Sequence, residues 1–442
     1  MIYRDIIDTI RPWLSQDKVI IIKGARQVGK TTILHFLRRE IEESGKQVHY
    51  IAADLDFADP AFGDPRLFIL RLDEQFGGKP GTVFIDEFQI IPKAGLFLKT
   101  LYDQTKNRYR FVISGSSTLE LAKNAEFLTG RKKEFILRPF SFKEFVRARL
   151  PEIPLGDFEY SELASPAVAD YQALYGTALK AAYAEYLNLG GYPEPVLAPA
   201  ELRLDILKEL LSTYLHKDVA GYQRVENISG FNNLVKILGA QIGSQMNKSE
   251  LSATLRLNAE TVNRYLDILE GTFVFSLVPP WFSNPRKEVS KMPKVYVNDP
   301  GILVASGARA PARLNYDLLD GHSIENAVFS SLAAKSMGIR YWRTAGGAEV
   351  DFIVDTDDGP LPVEVKFTAS KPSESVAMRN FRAAYPEARK GLIVSRDCFG
   401  QGDLPIVPAY LLDFVRIGYQ GQGQDNRTNQ DRHERVFGKE KT

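Results

Sequence analysis

The chain has 442 residues, 44% hydrophobic and 25% charged, with Lys+Arg 56 against Asp+Glu 55. That length points to two to four domains, and the near-zero charge balance excludes a generic polycation, so any nucleic-acid contact must come from a local patch. One cysteine, Cys398, excludes an internal disulfide, five His leave no zinc constellation and no apolar run reaches membrane-spanning length; the reading is a reduced, cytoplasmic protein with no membrane partner.

Met1–Trp13 carries Arg4, Asp5, Asp8 and Arg11, which does not fit a signal peptide. Strands are then predicted at Val19–Lys23, Val48–Asp54, Thr82–Asp86, Arg110–Ser114 and Lys133–Leu137. Their spacing leaves room for a helix after each, the pattern of a parallel sheet covered on both faces. Directly after the first strand, Gly24 to Thr31 spells G-x-x-x-x-G-K-T, and Lys30–Glu43 reads as a helix. In that setting backbone N–H groups and the positive helix end cradle nucleotide phosphates. Gly24, Ala25, Arg26, Gln27, Val28, Gly29, Lys30, Thr31 and Thr32 are therefore expected to bind ATP, with Lys30 on the β/γ-phosphates and Thr31 on Mg²⁺. The third strand ends in Asp86 and Glu87, suited to hold the Mg²⁺ shell and to polarise the attacking water. Ser116 follows the fourth strand, placed either to sense a γ-phosphate or to cap a helix. Arg131, after Thr129-Gly130, reads as an arginine finger in cis or trans, or as a surface arginine.

Pro151–Tyr175, with its prolines, glycines and acids, reads as an insertion or linker. Helical periodicity resumes over Ala178–Leu189, stops at Gly190-Gly191-Tyr192-Pro193 and returns over Leu202–Asp218, as a helical lid would. Three further helices are expected: Phe231–Ile242, one capped by Ser249 through Leu255, and Ala259–Glu270 capped by Asn258. With β segments at Thr272–Pro279 and Lys294–Asn298, the layout is that of a winged helix-turn-helix. Thr261, Asn263 and Arg264 would then face DNA, with Arg286, Lys287, Lys291 and Lys294 as a basic wing or an ordinary solvated face. Such a module also serves to bind protein.

Near the C-terminus, Glu349–Val354 and Pro362–Phe367 both alternate, flanking a turn at Asp355–Pro360. Alternation places Val350, Phe352 and Val354 on one face and Glu349 and Asp351 on the other. A hairpin would gather Asp351, Glu364 and Lys366, a set suited to Mg²⁺-assisted phosphodiester hydrolysis, with Glu325 on the preceding helix as a further ligand. The same residues also suit cross-strand ion pairs.

Over about residues 15–400 the ordered series GARQVGKT, VFIDE, ISGSS, TGR, PFSFKEF, GGYPE, TYLHKD, TVNRYLDILEGTFV, KVYVNDPG, YWRT and GAEVDFIV–PVEVK resembles the predicted AAA+-superfamily ATPases that carry a C-terminal domain of unknown function 4143. The resemblance implies an α/β protein: a P-loop AAA+ parallel sheet core (1–145), a helical lid and linker (146–225), a winged helix-turn-helix (226–283) and a PD-(D/E)xK nuclease-like domain (284–418). In that last fold Asp351, Glu364 and Lys366 match active-site positions, and Glu325 the first-helix position. No second sensor arginine is matched in the lid. Residues 419–442 are polar and expected to be disordered. Two functions follow: an ATPase acting on DNA with a Mg²⁺ nuclease site, or a nucleotide-gated switch that binds DNA or protein without cutting. Oligomerisation is compatible with both.

Overall fold

The computed structural model describes residues 1–56, 58–115, 130–213, 225–282, 291–309, 316, 319–335, 338–344, 346–367, 373–401 and 404–418. Ser116, Thr129, Arg286, Lys287 and the tail from 419 lie outside the described residues.

Five parallel strands open the fold: β1 (Val19–Lys23), β2 (Gln47–Ala52), β3 (Gly81–Asp86), β4 (Tyr109–Gly115) and β5 (Lys132–Ile136), in the order β2-β3-β4-β1-β5. Their alternation sorts the apolar residues by face. Ile20 and Ile22 join Ile33, Leu34 and Leu37 of helix Lys30–Glu43, while Val19 and Ile21 join Phe68 and Leu72 of Pro65–Phe76 and Phe97 and Leu101 of Ala94–Thr105. Helices on both faces leave only the carboxyl ends of the strands for ligands.

The segment expected as a linker is structured. Phe158–Glu159 (β6) pairs with Val415–Arg416, and a helix runs Pro166–Leu189, starting before the predicted Ala178. Its proline sits in the first turn, where no backbone N–H is missed. Its buried residues Leu179, Tyr183 and Leu187 share a core with Phe142 and Phe145 and with the C-terminal sheet. The first of the two helices expected in the lid therefore belongs to the core of the C-terminal sheet. Arg203–Thr213 instead places Leu207 and Leu211 in the core that backs helix Lys30–Glu43.

Helices Ile228–Ala240, Lys248–Leu255 and Ala259–Gly271 precede an antiparallel pair, β7 (Phe275–Val278) and β8 (Lys294–Val297). Asn258 caps the third helix by accepting from Thr261 N at 2.7 Å. The second is capped by Asn247 rather than Ser249: its side chain accepts from Ser249 N and Glu250 N.

The C-terminal sheet comprises β9 (Ile339–Arg343), β10 (Glu349–Thr356), β11 (Gly359–Lys366), β12 (Leu392–Ser395), β13 (Gly400–Gln401) and β14 (Pro405–Pro408). Its order is β13-β14-β12-β11-β10-β9, and Val415–Arg416 is β15. The β10–β11 turn is tighter than predicted, with Thr356 opposite Gly359. Between Val350↔Trp342 and Ile353↔Arg340 the register shifts, leaving one extra residue on β10. That bulge overturns the predicted face assignment. Val350 and Ile353 pack on one face of the sheet, and Phe352 and Val354 on the other.

Candidate nucleotide site and C-terminal carboxylate cluster

β1 delivers the chain into the Gly24–Thr31 loop at the carboxyl edge of the sheet. A Cβ on Gly24 would lie 2.2 Å from Leu137 O, so no larger residue fits between the loop and the chain leaving β5. Lys30, 4% exposed, donates to Ala25 O at 2.9 Å and Gly24 O at 3.3 Å, which holds its ammonium inside the loop. β3 delivers Asp86 beside it. Asp86 Oδ2 accepts from the Thr31 hydroxyl at 2.5 Å and from Tyr50 OH at 3.1 Å, and Oδ1 accepts from Ser114. Burial and the neighbouring Asp86 push the Tyr50 hydroxyl up, so it stays a donor. A carboxylate held by neutral hydroxyls keeps its charge available, and oxygen donors suit a hard cation. Thr31 and Asp86 therefore fit Mg²⁺.

Glu87 adopts φ +51°, a left-handed conformation that is costly for a non-glycine residue. Its N–H donates to Ser114 Oγ at 3.2 Å and to Asp86 Oδ1 at 3.1 Å, and Gln89 donates to its carboxylate. The turn thus aims Glu87 independently of the metal-binding acid before it.

Two residues outside the motifs brace this loop. Arg4, buried, donates to Val28 O at 2.9 Å and to Arg138 O at 2.7 Å, and pairs with Glu144 at 3.0 Å. Glu144 in turn accepts from Ser141 N and Asp5 N as part of a capping box. Nothing in the motif pattern marks Arg4; its only signal is a charge within an apolar helical start.

Arg131 lies at the other end of the sheet. Its carbonyl accepts from Val19 N, and Lys132 pairs with Val19, so it precedes a strand that spans about 16 Å before the nucleotide edge. There it pairs with Asp103 at 2.6 Å. A cis arginine finger is therefore ruled out by the direction of β5.

Asn263 and Arg264 are exposed on helix Ala259–Gly271, and Thr261 is half-exposed near its start. Lys291 is exposed. Lys294, predicted on a basic wing, is instead 3% exposed and turned inward.

Lys294 enters the C-terminal carboxylate cluster. Its Nζ lies 2.5 Å from Glu349 Oε1 and 3.3 Å from Glu325 Oε1. Tyr296 OH donates to Glu325 Oε1 at 2.6 Å, Val365 N to Asp351 Oδ2 at 2.8 Å, and Lys366 pairs with Glu364 at 2.6 Å. Burial pushes Asp351 up to about 7, Glu325 and Glu364 adding to the rise and Lys294 opposing it. For Lys294, burial pulls down while Glu325, Glu349 and Asp351 outweigh it, a net upward shift that keeps the ammonium charged. The hairpin does bring Asp351, Glu364 and Lys366 near Glu325. Among the described residues, however, no three His, Cys, Asp or Glu side chains stand together in an arrangement that could hold a metal ion. Two of the four carboxylates, Glu325 and Glu349, already face a cation in Lys294.

Residues 16–146 match the family described as AAA domain, 180–312 a domain of unknown function (DUF8612) and 320–406 a domain of unknown function (DUF4143). The chain thus carries an AAA-type, nucleotide-binding ATPase domain joined to two further domains. It is 27% identical over 397 residues to an uncharacterized protein of Mycobacterium tuberculosis, covering 88% of this chain and 79% of the relative. To one of Methanocaldococcus jannaschii it is 26% identical over 401 residues, covering 86% and 80%. Among solved structures, the Aeropyrum pernix ORC1 protein in complex with DNA aligns at TM-score 0.28 and 14% identity, over 68% of this chain and 90% of that one. The replication initiator DnaA bound to AMPPCP and single-stranded DNA aligns at TM-score 0.28 and 13% identity, over 61% and 90%. Likenesses this distant do not bear on function. No described helix is long and apolar enough to cross a membrane.

Proposed function

We propose that this chain is an ATP-hydrolysing switch that binds DNA through helix Ala259–Gly271 and releases or engages it according to nucleotide state. Lys30 and the loop amides grip the triphosphate of ATP and neutralise charge as the γ-phosphoryl group transfers to water. Thr31 and Asp86 hold Mg²⁺, which supplies further charge neutralisation at the phosphates. Glu87, aimed by its left-handed turn and by Gln89, orients the attacking water and accepts its proton.

The observation that carries the gating is a single apolar core. Ile33, Leu34 and Leu37 behind the loop belong to the same buried cluster as Phe231, Leu234, Val262, Tyr265 and Leu269 beneath the exposed Asn263 and Arg264. Packed cores shift between discrete arrangements, and this shared core is the route by which a change in the loop helix would reach the DNA-facing helix. The second reading, Mg²⁺-dependent DNA cleavage at the C-terminal cluster, is disfavoured by the lysine already seated there.

Titrating a labelled duplex against the protein saturated with a non-hydrolysable ATP analogue, and separately with ADP, tests the gating. At least about a tenfold difference in affinity is expected, equivalent to about 1.4 kcal/mol of coupling. Equal affinities would refute the gate, and no salt-dependent binding in either state would refute the DNA contact.

A further inference from the structure

The C-terminal carboxylates invite a divalent cation by residue type and refuse one by arrangement. Glu325 comes from helix Gly321–Ala334, Glu349 and Asp351 from β10, and Glu364 from β11. Lys294 comes from β8, the second strand of the hairpin that closes the three-helix unit. The hairpin is fixed to the preceding turn by Gly243 N donating to Val295 O at 2.9 Å and Met246 N to Pro293 O at 2.8 Å. Gly243 also makes room for the cluster: a Cβ there would sit 3.2 Å from both Glu325 carboxylate oxygens, at a backbone φ of +75°.

We infer that Lys294 is the resident cation of this cluster, seated between Glu325 and Glu349, and that the cluster is a latch between the three-helix unit and the C-terminal sheet rather than a nuclease centre. A tethered ammonium is present at fixed geometry without the dehydration that Mg²⁺ resists. It answers two carboxylates directly, at 2.5 and 3.3 Å. A divalent ion brought alongside it would meet like-charge repulsion in a buried setting, where screening is weak. The remaining donors are largely spoken for: Lys366 pairs with Glu364 Oε1, Val365 N with Asp351, and Arg343 lies 3.4 Å from Glu349 Oε2. One buried oxygen, Glu364 Oε2, has no hydrogen-bond partner. Take the ammonium away, and Glu325 and Glu349 lose the cation they share, leaving them beside Asp351 and the open Glu364 Oε2 as oxygen donors of the kind that Mn²⁺ and Mg²⁺ prefer.

This inference is independent of the nucleotide gate, because its test needs neither ATP nor DNA. Free Mn²⁺ is followed by electron paramagnetic resonance as it is titrated into the nucleotide-free full chain. Wild type is expected to match Asp351→Asn, with no site that depends on this aspartate. Lys294→Met, close in shape and without charge, is expected to gain one site at least tenfold tighter than the background. Adding Asp351→Asn to Lys294→Met should abolish that site, and Lys294→Arg should not create it. A wild-type Mn²⁺ site lost in Asp351→Asn overturns the proposal, as does a folded Lys294→Met that gains nothing. Should Lys294→Met fail to fold, the pair of wild type and Asp351→Asn still decides: equal uptake supports the resident lysine, and unequal uptake overturns it.

Discussion

Two acidic sites in this molecule solve the same electrostatic problem in opposite ways. At the nucleotide edge Asp86 is surrounded by the hydroxyls of Thr31, Tyr50 and Ser114, which orient it without cancelling its charge. At the C-terminal sheet Glu325, Glu349 and Glu364 face Lys294 and Lys366, which do cancel theirs. Neutral donors keep a site ready for a cation that arrives with its substrate, whereas charged donors close it. Residue type alone would have ranked the second site, with more carboxylates, as the better metal centre.

The comparison is most exposed at Lys30. Lys30→Ala should weaken ATP binding by about 10³-fold or more by calorimetry, since the ammonium is held inside the loop by Ala25 O and Gly24 O. Retained affinity would mean that the open site is not the nucleotide site. Glu87→Gln should keep binding and lower single-turnover hydrolysis by about 10²–10³-fold, the range for loss of a positioned base. Parental rates would reassign the water-orienting role.

Arg4→Met sharpens the contrast from another side, because Arg4–Glu144 is a closed, buried pair placed behind the open site. Leaving Glu144 buried without it should cost about 3 kcal/mol in urea unfolding, and ATP affinity should fall as Val28 O loses its brace. If stability drops and affinity does not, the brace is structural only.

A buried acid held by backbone N–H groups provides a further check. Burial raises Asp299 to about 7, partly opposed by N–H groups of Gly191, Gly301 and Ile302. The folded state then holds a proton that the unfolded chain sheds above its ordinary value near 4. Stability should fall as pH rises from about 4 to 7, by about 4 kcal/mol, and level off above. Asp299→Asn should flatten that slope in denaturation curves; an unchanged slope would place the titration elsewhere. The smallest effect is expected at Arg264→Ala, which should weaken DNA binding by about 1 kcal/mol and reduce the salt slope by about one.

The nucleotide site was legible because its parts are contiguous: one loop after one strand, and an acidic pair at the end of another. The three central strands β1, β3 and β4 followed for the same reason, since each is an apolar run buried on both faces, whereas the edge strands β2 and β5 are partly exposed. For Arg131 the sequence leaves a finger and a surface arginine open, and the direction of β5 separates them: a residue before a parallel strand lies at the edge away from the loop. At β10, period-two counting failed at a bulge, which adds a residue without any marker in the sequence.

Lys294 was misread because lysine in a hairpin usually means solvent. The signal was present in Lys294-Val295-Tyr296-Val297, a strand buried at every position. Lysine and tyrosine two apart share a face, and both reach Glu325. No local pattern could supply their partners, which come from a helix and a strand further along the chain. The helix Pro166–Leu189 was likewise visible as a helix, while the surface it covers depended on contacts with distant Phe414 and Tyr410.

Gly243 gives the latch a fingerprint that travels. Its absent side chain leaves the berth for Glu325, so a bulkier residue at that position would crowd the same acid that Lys294 neutralises. Glycine and lysine, fifty-one positions apart, therefore form a two-letter sorting key. Chains of this architecture that keep both should be metal-blind at the C-terminal sheet, and a chain that trades the lysine for a neutral residue is the place to look for cutting.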